Sequence, residues 1–117
     1  MKPKTFDISV DQAEDGVLVR MVGSCTMEYS GTVGQALIKV VDQSTKPIVV
    51  DISKLDFIDS GGLGGLIEAY LRCRRLNRSF QLAAPQPRIQ QMLALTRLTD
   101  LMPIQTTVPQ ATPGSAS

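Results

Sequence analysis

The stretch from residue 48 to residue 76 most strongly constrains the fold, because its hydrophobic pattern changes from that of a strand to that of a helix. Ile48–Ile52 is a short apolar run rich in β-branched residues, typical of a central strand covered on both faces. From Leu63 onward the apolar residues recur with the spacing of one helix face, at Leu63, Leu66, Ile67, Tyr70 and Leu71. A strand followed closely by an amphipathic helix predicts one unit of an α/β fold.

A polar corner, Asp59-Ser60, lies between this strand and this helix, and four glycines follow it within residues 61–65. Ser60 is of a residue type preferred at a helix N-cap. Each glycine inside a helix costs roughly 0.5–1 kcal/mol relative to alanine, so the glycines need a compensating role. We favour close packing and access to the backbone over nucleotide binding. The free N–H groups of a helix N-terminus can also hold a phosphate.

The composition excludes several classes of function. The 117 residues allow one domain, and the net charge of +1 gives no basic excess that would indicate a nucleic-acid partner. Histidine is absent and there are two cysteines, which excludes a His-assisted nucleophile, a His-containing zinc site and a Cys-only structural zinc site. Neither a P-loop nor a GxGxxG motif is present. We therefore expect no enzymatic activity and no cofactor, and ATP chemistry must come from a partner.

The chain also lacks the sequence features of a membrane or exported protein. No run is long and apolar enough to span a bilayer, and residues 1–4 do not begin a signal peptide. We therefore expect a cytoplasmic location without membrane insertion. Cys25 and Cys73 are far apart in sequence and are expected to be reduced and buried.

The rest of the chain predicts further strands and helices around the corner. Two strands, Phe6–Val10 and Val17–Val22, form a hairpin, and Gly23–Thr26 is a loop. Ser30 or Thr32 caps a helix that runs to residue 42, a strand covers residues 80–83, and a helix opens near Pro87. Asp100–Ile104 is compatible with a short helix or a short strand. We predict one α/β domain over residues 1–106, with a mixed sheet of four to five strands packed with about four helices, and a disordered tail over 107–117.

The motif Asp59-Ser60-Gly61-Gly62-Leu63-Gly64, placed between a strand and a helix, resembles the STAS domain of bacterial anti-sigma factor antagonists. The likeness covers about residues 6 to 104. It implies that Ser60 is the phosphoacceptor of an anti-sigma factor that is also a serine kinase, and that a metal-dependent Ser/Thr phosphatase reverses the modification. It further implies that the unphosphorylated protein binds the anti-sigma factor and frees the sigma factor.

The same resemblance implies a partner-binding surface that consists of Thr26, Asp59, Ser60, Gly61, Gly62 and Leu63. The chain departs from the family pattern in this region. Ser24 and Thr26 stand where the family usually has an acidic pair, and Gly61 stands where relatives commonly carry a second hydroxyl residue. Asp59 is compatible with a capping role or with orienting a kinase. Farther along, Arg97 replaces a family glycine, which implies either a different local turn or a positive φ at a non-glycine residue.

A second hypothesis is a STAS subunit with a structural role, either accessory to a lipid-transport ABC system or part of a stressosome-type scaffold. A fixed complex that is insensitive to Ser60 would favour this role. We expect a monomer, since no large apolar patch is evident in the sequence. The sigma factor, the kinase, the signal, and a transcriptional or secretory output are all left open by the sequence.

Overall fold

A computed structural model describes residues 5–106 of the chain. These residues form five strands, three α-helices and one turn of 3₁₀-helix at Leu98–Asp100. In chain order the strands and α-helices are β1 (Phe6–Gln12), β2 (Val17–Cys25), α1 (Met27–Gln43), β3 (Ile48–Ile58), α2 (Ser60–Arg75), β4 (Phe80–Ala83), α3 (Pro87–Leu95) and β5 (Ile104–Gln105). The predicted domain begins at residue 1 and the predicted tail covers 107–117, so residues 1–4 and the tail lie outside the described residues.

The strands form one mixed sheet with the order β1-β2-β3-β4-β5. β1 pairs with β2 antiparallel, and the remaining neighbours are parallel. The predicted α/β class and mixed sheet are confirmed. The described part of the chain has three α-helices rather than about four, because residues 98–105 divide between the 3₁₀ turn and β5. Arg97, just before that turn, has φ 63°, so the positive φ is the alternative that holds at this position.

The hydrophobic core lies on one face of the sheet, where the three helices pack. Val19, Val50 and Leu82 are paired neighbours on adjacent strands, and they share a core with buried residues of α1, α2 and α3. Strands β2 to β5 follow one another in space as in sequence, so right-handed crossovers place every helix on the same side. The expectation that β3 is covered on both faces is wrong, because Val49 and Asp51 on its other face are only half-buried.

The two strands that lead to the polar corner are longer than the sequence predicted. β2 ends at Cys25 rather than Val22, and β3 ends at Ile58 rather than Ile52. Two register shifts let the pairing continue until Cys25 lies opposite Ile58, so ladder hydrogen bonds extend through polar sequence. The loop predicted at residues 23–26 is therefore mostly strand, and α1 begins at Met27 with Thr26 as N-cap, not after Ser30 or Thr32.

Helix α2 is packed through a face richer in small residues than the apolar spacing indicated. Its buried residues are Gly62, Gly65, Leu66, Ala69 and Cys73, whereas Leu71 is exposed. The reason is the neighbouring helix α1: a Cβ atom at Gly65 would lie 3.2 Å from the Cα of Gly34. Arg72 also turns toward α1 and pairs with Asp42 at 3.0 Å.

Within residues 5–106, no helix has both the length and the hydropathy needed to cross a membrane. Cys25 and Cys73 are both buried and both free, as the sequence predicted.

Candidate functional site

The polar corner is built where β2 and β3 end side by side. The backbone N–H of Asp59 donates to the carbonyl of Cys25 at 3.0 Å, one residue beyond the last paired position of the two strands. This hydrogen bond brings Thr26, at the start of α1, beside Asp59, at the start of α2. Two helix N-termini are therefore anchored at the same edge of the sheet.

Asp59 is the N-cap residue of α2. Its backbone is extended, with φ −87° and ψ 180°, and its carboxylate oxygen Oδ1 accepts a hydrogen bond from the N–H of Gly62 at 2.8 Å. Its carbonyl accepts the first helical hydrogen bond, from Leu63 at 3.0 Å. The prediction that Ser60 caps this helix is wrong, because the carboxylate one residue earlier already satisfies the donor that a cap must satisfy.

Ser60 is the first helical residue and is exposed, and Gly61 after it is exposed as well. Backbone N–H groups in the first turn of a helix have no intrahelical acceptor, and Asp59 satisfies only that of Gly62. The N–H groups of Ser60 and Gly61 therefore lack an intrahelical acceptor and contribute to the positive end of the helix dipole. A phosphate on the Ser60 hydroxyl would be formed in this favourable field.

The four glycines of the corner have different surroundings. A Cβ at Gly62 would lie 2.7 Å from a side-chain carbon of Ile58 and 3.0 Å from the sulfur of Cys25. A Cβ at Gly61 would lie 2.8 Å from Oγ of Ser30. Gly65 meets the backbone of α1, whereas a Cβ at Gly64 would have no neighbour within 4 Å. Close packing thus accounts for Gly61, Gly62 and Gly65, and it leaves Gly64 unexplained.

The six residues of the predicted partner surface are brought together but differ in exposure. Ser60 and Gly61 are exposed, Thr26, Asp59 and Leu63 are half-buried, and Gly62 is buried. Thr26 caps α1 through its backbone only, without a side-chain hydrogen bond to the helix. A partner approaching this corner would therefore meet Ser60 and Gly61 first, with Thr26 and Asp59 at their sides.

Two further residues of the corner were not identified as site residues from the sequence. Met27, the first residue of α1, has 83% of its surface exposed, and its carbonyl accepts a hydrogen bond from Ser30 Oγ at 3.0 Å. Met27 and Ser30 were missed as site residues because α1 was expected to begin later in the chain. The sequence signal for Met27 was an apolar residue directly after a Thr of N-cap type.

Cys25 lies beneath the corner, against Gly62. Burial, together with the nearby Asp59 carboxylate, raises the pKa of the Cys25 thiol from 9.0 to about 11. The thiol is therefore protonated at neutral pH and acts as a packing group rather than as a nucleophile.

Comparison with known proteins agrees with the fold. The STAS domain family model matches residues 7–111. An anti-sigma factor antagonist from Mycobacterium paratuberculosis is 25% identical, with a TM-score of 0.82, over 92% of this chain and 91% of that one.

Two more distant structures share the fold. SpoIIAA from Bacillus, solved in its phosphorylated form, is 16% identical with a TM-score of 0.67, over 84% of this chain and 90% of that one. A substituted form of RsbS from Moorella thermoacetica is 19% identical with a TM-score of 0.72, over 88% of both chains. Because the family model covers nearly the whole chain and the structural relatives include anti-sigma factor antagonists, this protein belongs to the STAS domain family.

Proposed function

We propose that this protein is an anti-sigma factor antagonist that works by partner switching: it binds an anti-sigma factor serine kinase while Ser60 is unmodified, and it is released when Ser60 is phosphorylated. One observation carries the proposal. Ser60 is exposed at the first position of α2, while Asp59 caps the helix, so the Ser60 hydroxyl is available for modification without loss of the cap.

The chemical step needs little from this chain beyond the acceptor. The Ser60 oxygen attacks the γ-phosphorus of ATP held by the kinase, the bond to the β-phosphate oxygen breaks, and ADP leaves. A base on the kinase takes the hydroxyl proton. We propose that the chain is not itself an enzyme, that it acts in the cytoplasm, and that a Ser/Thr phosphatase restores the hydroxyl.

Release follows from the charge that the phosphate adds. A phosphoserine carries about −1.5 to −2 charges at pH 7, placed here beside the carboxylate of Asp59. In the free protein, water and the N–H groups of the first turn of α2 solvate this charge. In a complex, mismatched buried charge typically costs about 2–5 kcal/mol. At about 1.4 kcal/mol per tenfold, affinity falls by roughly 30-fold to several thousand-fold.

The surface beside Ser60 indicates what kind of kinase would dock. Ser24 and Thr26 are uncharged where the family usually has an acidic pair, and Met27 adds an exposed apolar side chain. Glu28 and Asp56 are exposed nearby in sequence. We propose a partner surface with an apolar patch opposite Met27 and with fewer basic groups than a partner that recognises the acidic pair.

The uncharged Ser24 and Thr26 also support a second candidate, a STAS subunit in a non-switching scaffold or lipid-transport complex. The two functions differ in whether binding depends on the state of Ser60. The related SpoIIAA, which has been solved in a phosphorylated form, supports the switching role by fold similarity.

A phosphate-mapping experiment tests the proposal. The protein is incubated with ATP and with each candidate anti-sigma kinase encoded in the same genome, and the phosphate is located by peptide mass spectrometry. Phosphate on Ser60 together with loss of kinase binding supports switching. A stable complex with another protein, and no modification by any kinase, would favour the scaffold.

A further inference from the structure

The first turn of α2 rests on the first turn of α1 through Gly61 and Ser30. A Cβ at Gly61 would lie 2.8 Å from Oγ and 2.9 Å from Cβ of Ser30, both closer than real Cβ contacts allow. Rotation about χ1 moves the Ser30 oxygen, but it does not move the Ser30 Cβ. Any larger residue at position 61 therefore forces the two helix turns apart.

Ser30 is itself held in place. Its Oγ donates to the carbonyl of Met27 at 3.0 Å, and the N-terminus of α1 is joined to the end of β2 through Thr26. Ser30 thus belongs to a turn that the sheet fixes, whereas Gly61 directly follows the exposed Ser60. The side chain of Ser30 occupies the space that a side chain at position 61 would otherwise fill.

We propose that Ser30 is a positioning residue for Ser60: through its contact with Gly61 it sets where the first turn of α2, and with it the phosphoacceptor hydroxyl, is presented to the kinase. This inference rests on the proposed function for its effect on phosphorylation. The coupling between Ser30 and Gly61 can be measured without a kinase. Displacing the turn lowers the rate of transfer, because the acceptor oxygen must be aligned with the phosphorus.

The test is a double-mutant cycle with graded rescue. Gly61→Ser is made alone, with Ser30→Ala and with Ser30→Gly, and each Ser30 variant is also made alone. The alanine removes only Oγ, whereas the glycine also removes the Cβ. Gly64→Ser is the matched control, since its side chain enters open space. The readouts are kcat and KM for Ser60 phosphorylation, and hydrogen exchange of the Leu63 amide, whose hydrogen bond to the Asp59 carbonyl closes the first turn.

We expect Gly61→Ser to lower kcat by about tenfold with a smaller change in KM, and to accelerate Leu63 exchange by a similar factor. In the Gly61→Ser background, Ser30→Ala restores part of both readouts and Ser30→Gly restores most of both. Ser30→Gly alone, which removes the contact with Gly61, lowers kcat and accelerates Leu63 exchange, whereas Gly64→Ser does neither. Normal kinetics and exchange in Gly61→Ser would overturn the positioning role, as would failure of Ser30→Gly to rescue. If no kinase phosphorylates the wild type, the proposed function fails. The hydrogen-exchange measurements on the same variants then test by themselves whether Ser30 positions the first turn of α2.

Discussion

The carboxylate of Asp59 accepts the N–H of Gly62 at 2.8 Å, so the residue before Ser60 caps α2 and Ser60 does not. The helix cap and the proposed phosphoacceptor are therefore two adjacent residues. A change at Ser60 leaves the cap intact, whereas a change at Asp59 alters the start of the helix.

Removal of the Asp59 carboxylate should destabilise the fold. We expect Asp59→Ala to lower the free energy of unfolding by about 1 kcal/mol, the usual cost of a lost N-cap. Asp59→Asn keeps a capping oxygen and should remain within a few tenths of the wild type. Urea denaturation followed by circular dichroism measures both. Equal losses in the two variants would show that the negative charge, and not the cap, is what stabilises the helix.

The adjacent glycines 64 and 65 should respond in opposite directions to the same substitution. Gly64→Ala should stabilise the protein by roughly 0.5–1 kcal/mol, because alanine favours the helix and the added methyl group meets nothing within 4 Å. Gly65→Ala should destabilise it by about 1–3 kcal/mol, because the methyl group would lie 3.2 Å from the backbone of Gly34. Each variant is the other's control in thermal and urea unfolding. Stabilisation by both would contradict the close approach of α1 and α2.

High pH should destabilise the fold partly through Cys25. Its pKa is about 11 in the folded chain against 9.0 for an unperturbed thiol, so between these values the unfolded chain loses a proton that the folded chain keeps. The contribution of the protonated Cys25 thiol to the free energy of unfolding is complete below pH 9 and is lost as the pH rises to about 11. The free energy of unfolding then falls by at most about 1.4 kcal/mol per pH unit.

Unfolding free energies measured from pH 8 to 11 test this against Cys25→Ala, which retains Cys73 and every other titrating group. The variant should be less stable at pH 8 but should lose stability less steeply above pH 9. Parallel curves would show that Cys25 ionises equally in both states.

The sequence predicted the parts of this fold that depend on local pattern. The strand at Ile48 and the helix after Asp59 follow from the hydrophobic period. The positive φ at Arg97 is one of the two alternatives that the family resemblance implied. The extension of β3 to Ile58 was missed, because it depends on pairing with residues of β2 that are distant in sequence. The cap was placed one residue late, since both Asp59 and Ser60 are residue types that cap helices.

The residues of α1 that flank Ser60 were harder to predict from the sequence. The structure places Ser30 and Met27 at the corner because α1 begins earlier than the sequence predicted. The contact between Ser30 and Gly61 joins two helices. Such contacts leave no local sequence pattern. The exposure of Met27 likewise depends on the path of the chain around it.

Met27 should contribute to kinase docking. We expect Met27→Asp to weaken binding of the kinase by about tenfold, since loss of an interface residue that contributes strongly costs more than about 1 kcal/mol. Leu95→Asp is the matched control: Leu95 is 79% exposed, against 83% for Met27, and lies on α3. Isothermal titration calorimetry compares the two. Equal affinities would place the docking surface elsewhere.

The dependence of kinase affinity on the state of Ser60 is the most direct test of the switch. The dissociation constant is measured by calorimetry for the wild type, for Ser60→Ala, and for protein phosphorylated on Ser60 and verified by mass spectrometry. We predict that Ser60→Ala binds as the wild type does and that the phosphorylated protein binds at least about 30-fold more weakly. Equal affinity of the phosphorylated and unmodified proteins, or loss of binding in Ser60→Ala, would contradict partner switching at this residue.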